Sequence, residues 1–389
     1  MAQSKRTRVA VLFGGRSVEH EISVITALQL MQAIDPAVYD VTPVYIAPTG
    51  TWHTGTQLLE RSFYAKVPGN LTSLDEVTLL PKPGVRGLTK LSDNSIIPID
   101  VFLPAFHGQY GEDGCIQGLF EMADVPYTGS NVVSSALTMN KYACKVFLKE
   151  HGVPVLPAQL IARSDAQKDI NGVVQKALST EGFTTLPLFV KPCNLGSSIG
   201  ISKVKEAHEL APALAKVFRF DTHALIEPCV NDIMEINCSV REHNGIHASV
   251  VEIPVSQSGV LSYEEKYLRG GGKKTGQSAG MASLTRVIDP QDLDPEIKNS
   301  VVELATRSFT VLGCSGVARL DFIVDLATGK LYFNELNAFP GSCSFYLWVR
   351  SHPRVLYTTL IHNMIETALM HHATAASLDR NIGLKALRA

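Results

Sequence analysis

Nowhere in its 389 residues does the chain carry a Cys-x-x-Cys pair or an apolar stretch near the ~18 residues a membrane helix needs. The missing stretch argues against a membrane span. The missing pair argues against a zinc knuckle or dithiol redox centre, since the seven cysteines never approach closer than nine residues. An odd, scattered set reads as buried or idle thiols in a reducing cytosol. Basic residues precede the first apolar run, but Val9–Phe13 is only five residues long and meets glycines, so no leader peptide is expected. The charge is nearly balanced, 35 Lys and Arg against 37 Asp and Glu, which gives −2. That excludes a bulk binder of nucleic acid or anionic membranes and leaves room for a local basic cleft. No G-x-G-x-x-G follows the first strand, and no Walker A sequence is present.

The rest describes a globular protein rich in tight turns: 45% hydrophobic residues, 19% charged and 29 glycines. At roughly 150 residues per domain the length predicts two to three domains. A strand over Arg8–Phe13, Gly14-Gly15 and a helix from about Glu21 to Ala33 open the chain, with further strands over Asp40–Ile46 and Val101–Phe106. Strand, glycine turn and helix in succession predict a doubly wound α/β unit. Residues 57–81 are polar, turn-rich and resist assignment. Helices are expected over Asn140–Gly152, Asp294–Leu312 and Val355–His371, and a lid or mobile loop over the glycine-rich Ser262–Ser283.

Four constellations carry chemistry. Strands Val317–Leu326 and Lys330–Asn337 form a hairpin whose alternation puts Arg319 and Asp321 on one face and Glu335 and Asn337 on one face. A turn centred near Thr328 sets Asp321 opposite Glu335. Facing carboxylates repel unless a cation lies between them, and oxygen-only ligands suit Mg²⁺ with phosphates; a solvated polar strand face is the competing account. Second, Lys191 ends a buried strand before Asn194–Gly200, a glycine–serine loop whose N–H groups can cradle phosphate or simply make turns. Third, Glu19 and Glu21 follow Gly14-Gly15; Glu21 reads as a first-turn helix residue, and Glu19 is the better candidate for a ligand amine. Fourth, HGQYGEDG (His107–Gly114) lies at a strand's C-terminal end, where open α/β sheets bind ligands, or is a tight surface turn.

In this order the segments VAVLFGGRSVEHEIS, FHGQYGEDGCIQGLFEMADVPYTGS, MNKYACK, VKPCNLGSSIGISKV, EEKY and GVARLDFIVD…LYFNELNAFPG resemble the ATP-grasp superfamily, and within it the D-alanine–D-alanine ligase family. The resemblance runs from Val9 to about Gly341. It implies a three-domain α/β architecture, α+β in its ATP-grasp part: an N-terminal doubly wound parallel sheet over residues 1–140, a central ATP-grasp part over 141–228 and a C-terminal part over 229–389. It implies a cytoplasmic enzyme, a homodimer, that uses ATP and Mg²⁺ or Mn²⁺ to join two amino acids for peptidoglycan precursors. One carboxylate is phosphorylated to an acyl phosphate, which the second amine attacks.

By the same resemblance Lys141, Lys191 and Lys266 contact ATP phosphates, and Ser197 and Ser198 lie in the loop over them. Glu227 faces the adenine amine and Glu235 the ribose. Asp321, Glu335 and Asn337 hold the metal. Glu19 binds the first amine, Tyr267 closes the site toward Ser197 and Glu19, and Arg319 with the Gly341 N–H stabilises the oxyanion. Departures fall at VNDIME before Glu235, in the GGGKK that follows Tyr267, and at PGSCSFYLW. In that last segment the family usually has threonine and serine where Cys343 and Tyr346 stand, and the serine binds the acceptor carboxylate. The lead expectation is therefore D-alanine–D-alanine ligation. The alternatives are a related ligase with another acceptor and, less favoured, a catalytically silent nucleotide-binding protein.

Overall fold

The computed structural model describes residues 6–255 and 286–379. Among these residues three sheets form. The first is built on β1 (Thr7–Gly14), flanked in parallel by β2 (Tyr39–Ile46) and β7 (Val101–Pro104). Alternation along β1 explains why both its faces are covered. Val9, Val11 and Phe13 pack against helix His20–Ala33. Ala10 and Leu12 pack on the other side, against helix Cys115–Ala123. This is the doubly wound arrangement, confined to three strands. Four short strands extend it antiparallel: β3 (Trp52–Thr54), β4 (Asp75–Thr78), β5 (Gly87–Lys90) and β6 (Ile96–Pro98). The sheet is therefore mixed. The unassigned 57–81 segment is mainly short 3-10 turns leading into β4.

The second sheet is antiparallel, in the order β10 (Ser202–Val204), β9 (Leu188–Pro192), β11 (His223–Pro228), β8 (Gln159–Ala162). The third is also antiparallel, in the order β14 (Arg286–Ile288), β13 (Ile246–Pro254), β12 (Ile233–Glu242), β15 (Val317–Asp325), β16 (Leu331–Asn337). Its apolar face (Ile236, Cys238, Val240, Ala318, Leu320) is buried under helix Pro295–Val311 and helix Lys141–Glu150. Helix Pro295–Val311 starts where the sequence signals it, with Asp294 capping the N–H of Glu296 and Pro295 at the first position. Helix Tyr357–Ala376 returns to the first sheet: Leu360, Ile361, Met364 and Ile365 share a core with Val9 and Phe13. No helix among the described residues is long and apolar enough to cross a membrane, and all seven cysteines are free thiols.

Candidate active site

The polar face of the third sheet carries the chemistry. Register alone aligns Glu252, Asn237, Asp321 and Glu335 in one row across β13, β12, β15 and β16. Asp321 does face Glu335, as turn symmetry predicts. A bulge follows between Asp321 and Phe322, so the outer hairpin pairs one residue out of that symmetry and Asn334 is the extra residue. Such a row of acids stays folded only with compensating charge. Arg319 supplies it to Asp321 through two bonds, Nε to Oδ1 and Nη2 to Oδ2, each 2.7 Å. Burial alone lowers the Arg319 pKa, but Asp321 outweighs it and holds the guanidinium charged. Asn337 donates to Asp321 at 3.2 Å. Lys141 lies 3.4 Å from Glu335 and donates to the Leu195 carbonyl at 2.6 Å.

Two adjoining cavities meet on this face. Lys191, Ser198, Glu235, Asn237, Glu252, Arg286, Asp321 and Asn334 line one. Glu19, His107, Glu112, Ser197, Asn337, Phe339 and Gly341 line the other. Lys141, Gly196, Arg319 and Glu335 belong to both. The structure thus brings Lys141, Lys191, Ser198, Glu235, Arg319, Asp321 and Glu335 around one space, and Glu19, Ser197, Asn337 and Gly341 around its neighbour. Lys266 and Tyr267 lie outside the described residues.

Glu19 closes the second cavity from below the loop Asn194–Gly200. It is buried, and the Ser197 hydroxyl donates to it. Two glycines make room for its carboxylate: a Cβ on Gly196 would lie 3.2 Å from it, and one on Gly108 2.7 Å. Gly14, which turns the chain from β1 toward Glu19, has φ +90°, and a Cβ there would meet the Ile46 carbonyl at 2.4 Å. Ser197 and Ser198 both take left-handed φ, 53° and 58°, a conformation that serine adopts at a cost.

Glu227 lines neither cavity. Its two oxygens pair with Lys145 and, at 2.6 Å, with Lys191. Burial raises its pKa, but the two lysines outweigh that and bring it down to about 2. Lys145, buried and depressed in pKa by that burial, is a residue the sequence reading missed; its signal is its place one helical turn after Lys141. Glu112 was missed inside a motif that was noticed. Tyr346, at the position of the family's serine, is buried and donates to Glu252 at 3.1 Å. Arg286 also holds Glu252, at 2.7 Å, and its guanidinium lies 4.1 Å over the Tyr346 ring. His107 is buried with its ring bonded to Thr26, and burial lowers it to about 4, so it is neutral at physiological pH.

Among the described residues no three His, Cys, Asp or Glu side chains converge as a metal cage. The donors available are two carboxylates and one amide, a hard oxygen set that suits Mg²⁺ completed by phosphate and water.

Known proteins resemble this chain along nearly its whole length. The family description for the D-ala D-ala ligase C-terminus matches residues 147–366, and that for the N-terminus residues 8–130. D-alanine–D-alanine ligase A of Bradyrhizobium diazoefficiens is 38% identical, with 96% of this chain and 98% of that protein aligned. The D-alanine–D-alanine ligase of Thermosipho melanesiensis is 34% identical over 96% and 97%. Among solved structures, the D-alanine–D-alanine ligase from Coxiella burnetii superposes with TM-score 0.77 at 28% identity, covering 95% of this chain and 97% of that one. A D-Ala:D-Ser ligase from Enterococcus faecalis gives 0.75 at 27%, covering 94% and 100%. With both halves matched and relatives aligned nearly end to end, the chain belongs to the D-alanine–D-alanine ligase family.

Proposed function

We propose that the protein joins two D-alanines at the expense of ATP, releasing ADP and phosphate, to supply a peptidoglycan precursor. The observation that carries this reading is the pair of adjoining cavities sharing Lys141, Arg319 and Glu335. One is lined as a triphosphate site is, the other carries a buried carboxylate suited to an ammonium, and the shared cations lie where a γ-phosphate would meet a substrate carboxylate. Phosphoryl transfer between such groups depends on positioning and charge neutralisation rather than covalent help.

Glu19 binds the ammonium of the first amino acid. Lys141 and Lys191 face the phosphates, with Ser197 and Ser198 in the loop above them; Glu235 takes the ribose and Glu227, through its lysines, borders the base. Asp321, Glu335 and Asn337 would hold Mg²⁺, which when bound supplies charge neutralisation at the phosphate oxygens. Arg319 and the Gly341 N–H stabilise the oxyanion formed when the second amine attacks; one such donor is worth about 10²–10³ in rate. Lys266 and Tyr267 complete the site by family analogy.

A second reading keeps the chemistry and changes the acceptor. It is favoured by Tyr346, whose hydroxyl is committed to Glu252 where the family's serine would meet the acceptor carboxylate. Measuring ADP release and dipeptide across D-amino acids separates the readings. Best turnover with D-alanine as sole amino acid supports the first. A mixed dipeptide formed faster with D-serine or a larger acceptor supports the second. ATP turnover with none of them removes both.

A further inference from the structure

We propose that Glu112 is a positioning residue that ties the subsite of the first amino acid to the backbone donor of the oxyanion. The proposal rests on the ligase reading and deepens it. Glu112 lines the same cavity as Glu19 and Gly341, and its two oxygens accept from backbone N–H groups of different segments. Oε2 takes the Gly108 N–H at 2.7 Å, and Oε1 takes the Phe339 N–H at 3.1 Å, 227 residues away along the chain.

Each end of this bridge touches the reaction. Gly108 separates the two carboxylates: it gives its N–H to Glu112, and a Cβ on it would reach within 2.7 Å of Glu19 Oε2. Only glycine fits there, since φ is +81° as well. At the other end Phe339 leads through Pro340 to Gly341. Proline's fixed φ leaves little slack between the Phe339 N–H that Glu112 holds and Gly341, which lines the cavity.

The segment beyond needs such a pin. Ser342, Cys343 and Ser344 take φ of 52°, 51° and 49°, three consecutive left-handed residues without a glycine. A run of this kind persists only where its surroundings over-determine it. The Ser342 hydroxyl holds one side of the turn, donating to Gln29 at 2.5 Å, and Glu112 holds the other. A second carboxyl beside Glu19 is unfavourable in itself. Burial and then the Glu19 charge push Glu112 up to about 8, against the lowering effect of its two N–H partners. A carboxyl keeps acceptor capacity at both oxygens whether or not it is ionised, which an amide of the same shape does not, and the two N–H groups require it.

The test compares Glu112→Gln with the wild type for ADP and dipeptide formed from ATP and the preferred amino acids. Glutamine keeps the shape, but its amide NH₂ can only face one of the two N–H donors. The expected result is a kcat about 10²-fold lower, the size of effect a small misplacement produces, with the KM for ATP unchanged. ADP should also exceed dipeptide, because a misaligned acyl phosphate is lost to water. A merely structural role would lower the melting temperature and yield while leaving the ADP-to-dipeptide ratio at one. Wild-type kcat and tight coupling in Glu112→Gln overturn the proposal. If that variant does not fold, Glu112→Asp, too short to reach both donors, must show the same uncoupling or the proposal fails. A wild type that makes no dipeptide removes the ligase reading instead.

Discussion

Glu227 and Glu112 are the same residue type, one buried and one half-buried, yet their pKa values move in opposite directions. Glu227 sits between the amines of Lys145 and Lys191 and falls to about 2. Glu112 sits beside Glu19, with two neutral N–H donors and only a distant lysine, and rises to about 8. Desolvation raises both; the sign of the result is decided by the neighbouring charge. Glu252, held by Arg286, Asn237 and Tyr346, lies between them in its surroundings. The same contrast separates the two halves of the site. The cavity proposed for the nucleotide balances its four carboxylates with four cations, Lys141, Lys191, Arg286 and Arg319. The cavity proposed for the amino acid sets three carboxyl groups, Glu19, Glu112 and Glu335, against Lys141 and Arg319, an excess that an incoming ammonium would relieve.

The largest expected effect comes from removing the carboxylate of the first cluster. Glu227→Gln leaves two lysines facing each other in a buried space without a counter-charge. Breaking a buried pair in this way costs about 3–5 kcal/mol, measurable by denaturant unfolding. The depressed pKa sets the pH range in which the effect is seen. The stabilisation is present above the unfolded value of 4.5 and fades as pH falls toward about 2, so wild type and variant should converge in acid. A loss of under 1 kcal/mol at neutral pH would mean that the lysines release their charge or find water, and the contrast with Glu112 would collapse.

An intermediate effect belongs to Glu252. Tyr346→Phe removes one hydrogen bond to a carboxylate that keeps Arg286, so the cost is about 1.5–3 kcal/mol, the range for bonds to charged groups. The readout beyond stability is acceptor choice. If the phenol shapes the acceptor subsite, relative turnover with D-alanine and larger D-amino acids changes in Tyr346→Phe. Unchanged selectivity would assign Tyr346 to packing alone.

How much of this was legible in the sequence follows from the range of each interaction. Period-two alternation and a turn near Thr328 sufficed to set Asp321 against Glu335, because both strands are local and their pairing follows from the turn. The bulge one step further was not legible, since one extra residue, Asn334, shifts the register without any turn signal. The first sheet's parallel strands followed from the strand–glycine–helix order. Its four antiparallel strands are three or four residues long and too short to show a period. Helix Val132–Met139 and strand β13 also go unassigned, although β13 pairs with the preceding β12 across an Asn244-Gly245 turn, a hairpin signal the sequence carries. Lys145 and Glu227 are 82 positions apart, so the residue types alone could not connect them. Glu112 stands in a loop singled out for its place at a strand end, but its partner Phe339 lies in the segment that follows β16, 227 residues on.

The smallest effect is the most direct test of the contrast. Because Glu112 is raised above its unfolded value of 4.5 to about 8, the native state holds its proton more tightly than the unfolded chain between those values. Its contribution to stability is complete below 4.5 and is lost as pH rises toward 8, opposite in sign to that of Glu227. Glutamine cannot titrate, so Glu112→Gln carries the pH dependence of every other group but not this one. The amide lowers the melting temperature by an amount independent of pH, and the difference curve isolates the carboxyl. Wild type minus variant should therefore decline from pH 5 to 8; even one pH unit between the two pKa values, about 1.4 kcal/mol, reads as a few degrees of melting temperature. Glu19 and Glu112 share the field of one another, so the midpoint of that decline belongs to the pair. Curves that stay parallel over the whole range would show that Glu112 is ionised throughout, compensated by a cation, and that the amino-acid side of the site does not hold the carboxyl excess that sets it apart from the nucleotide side.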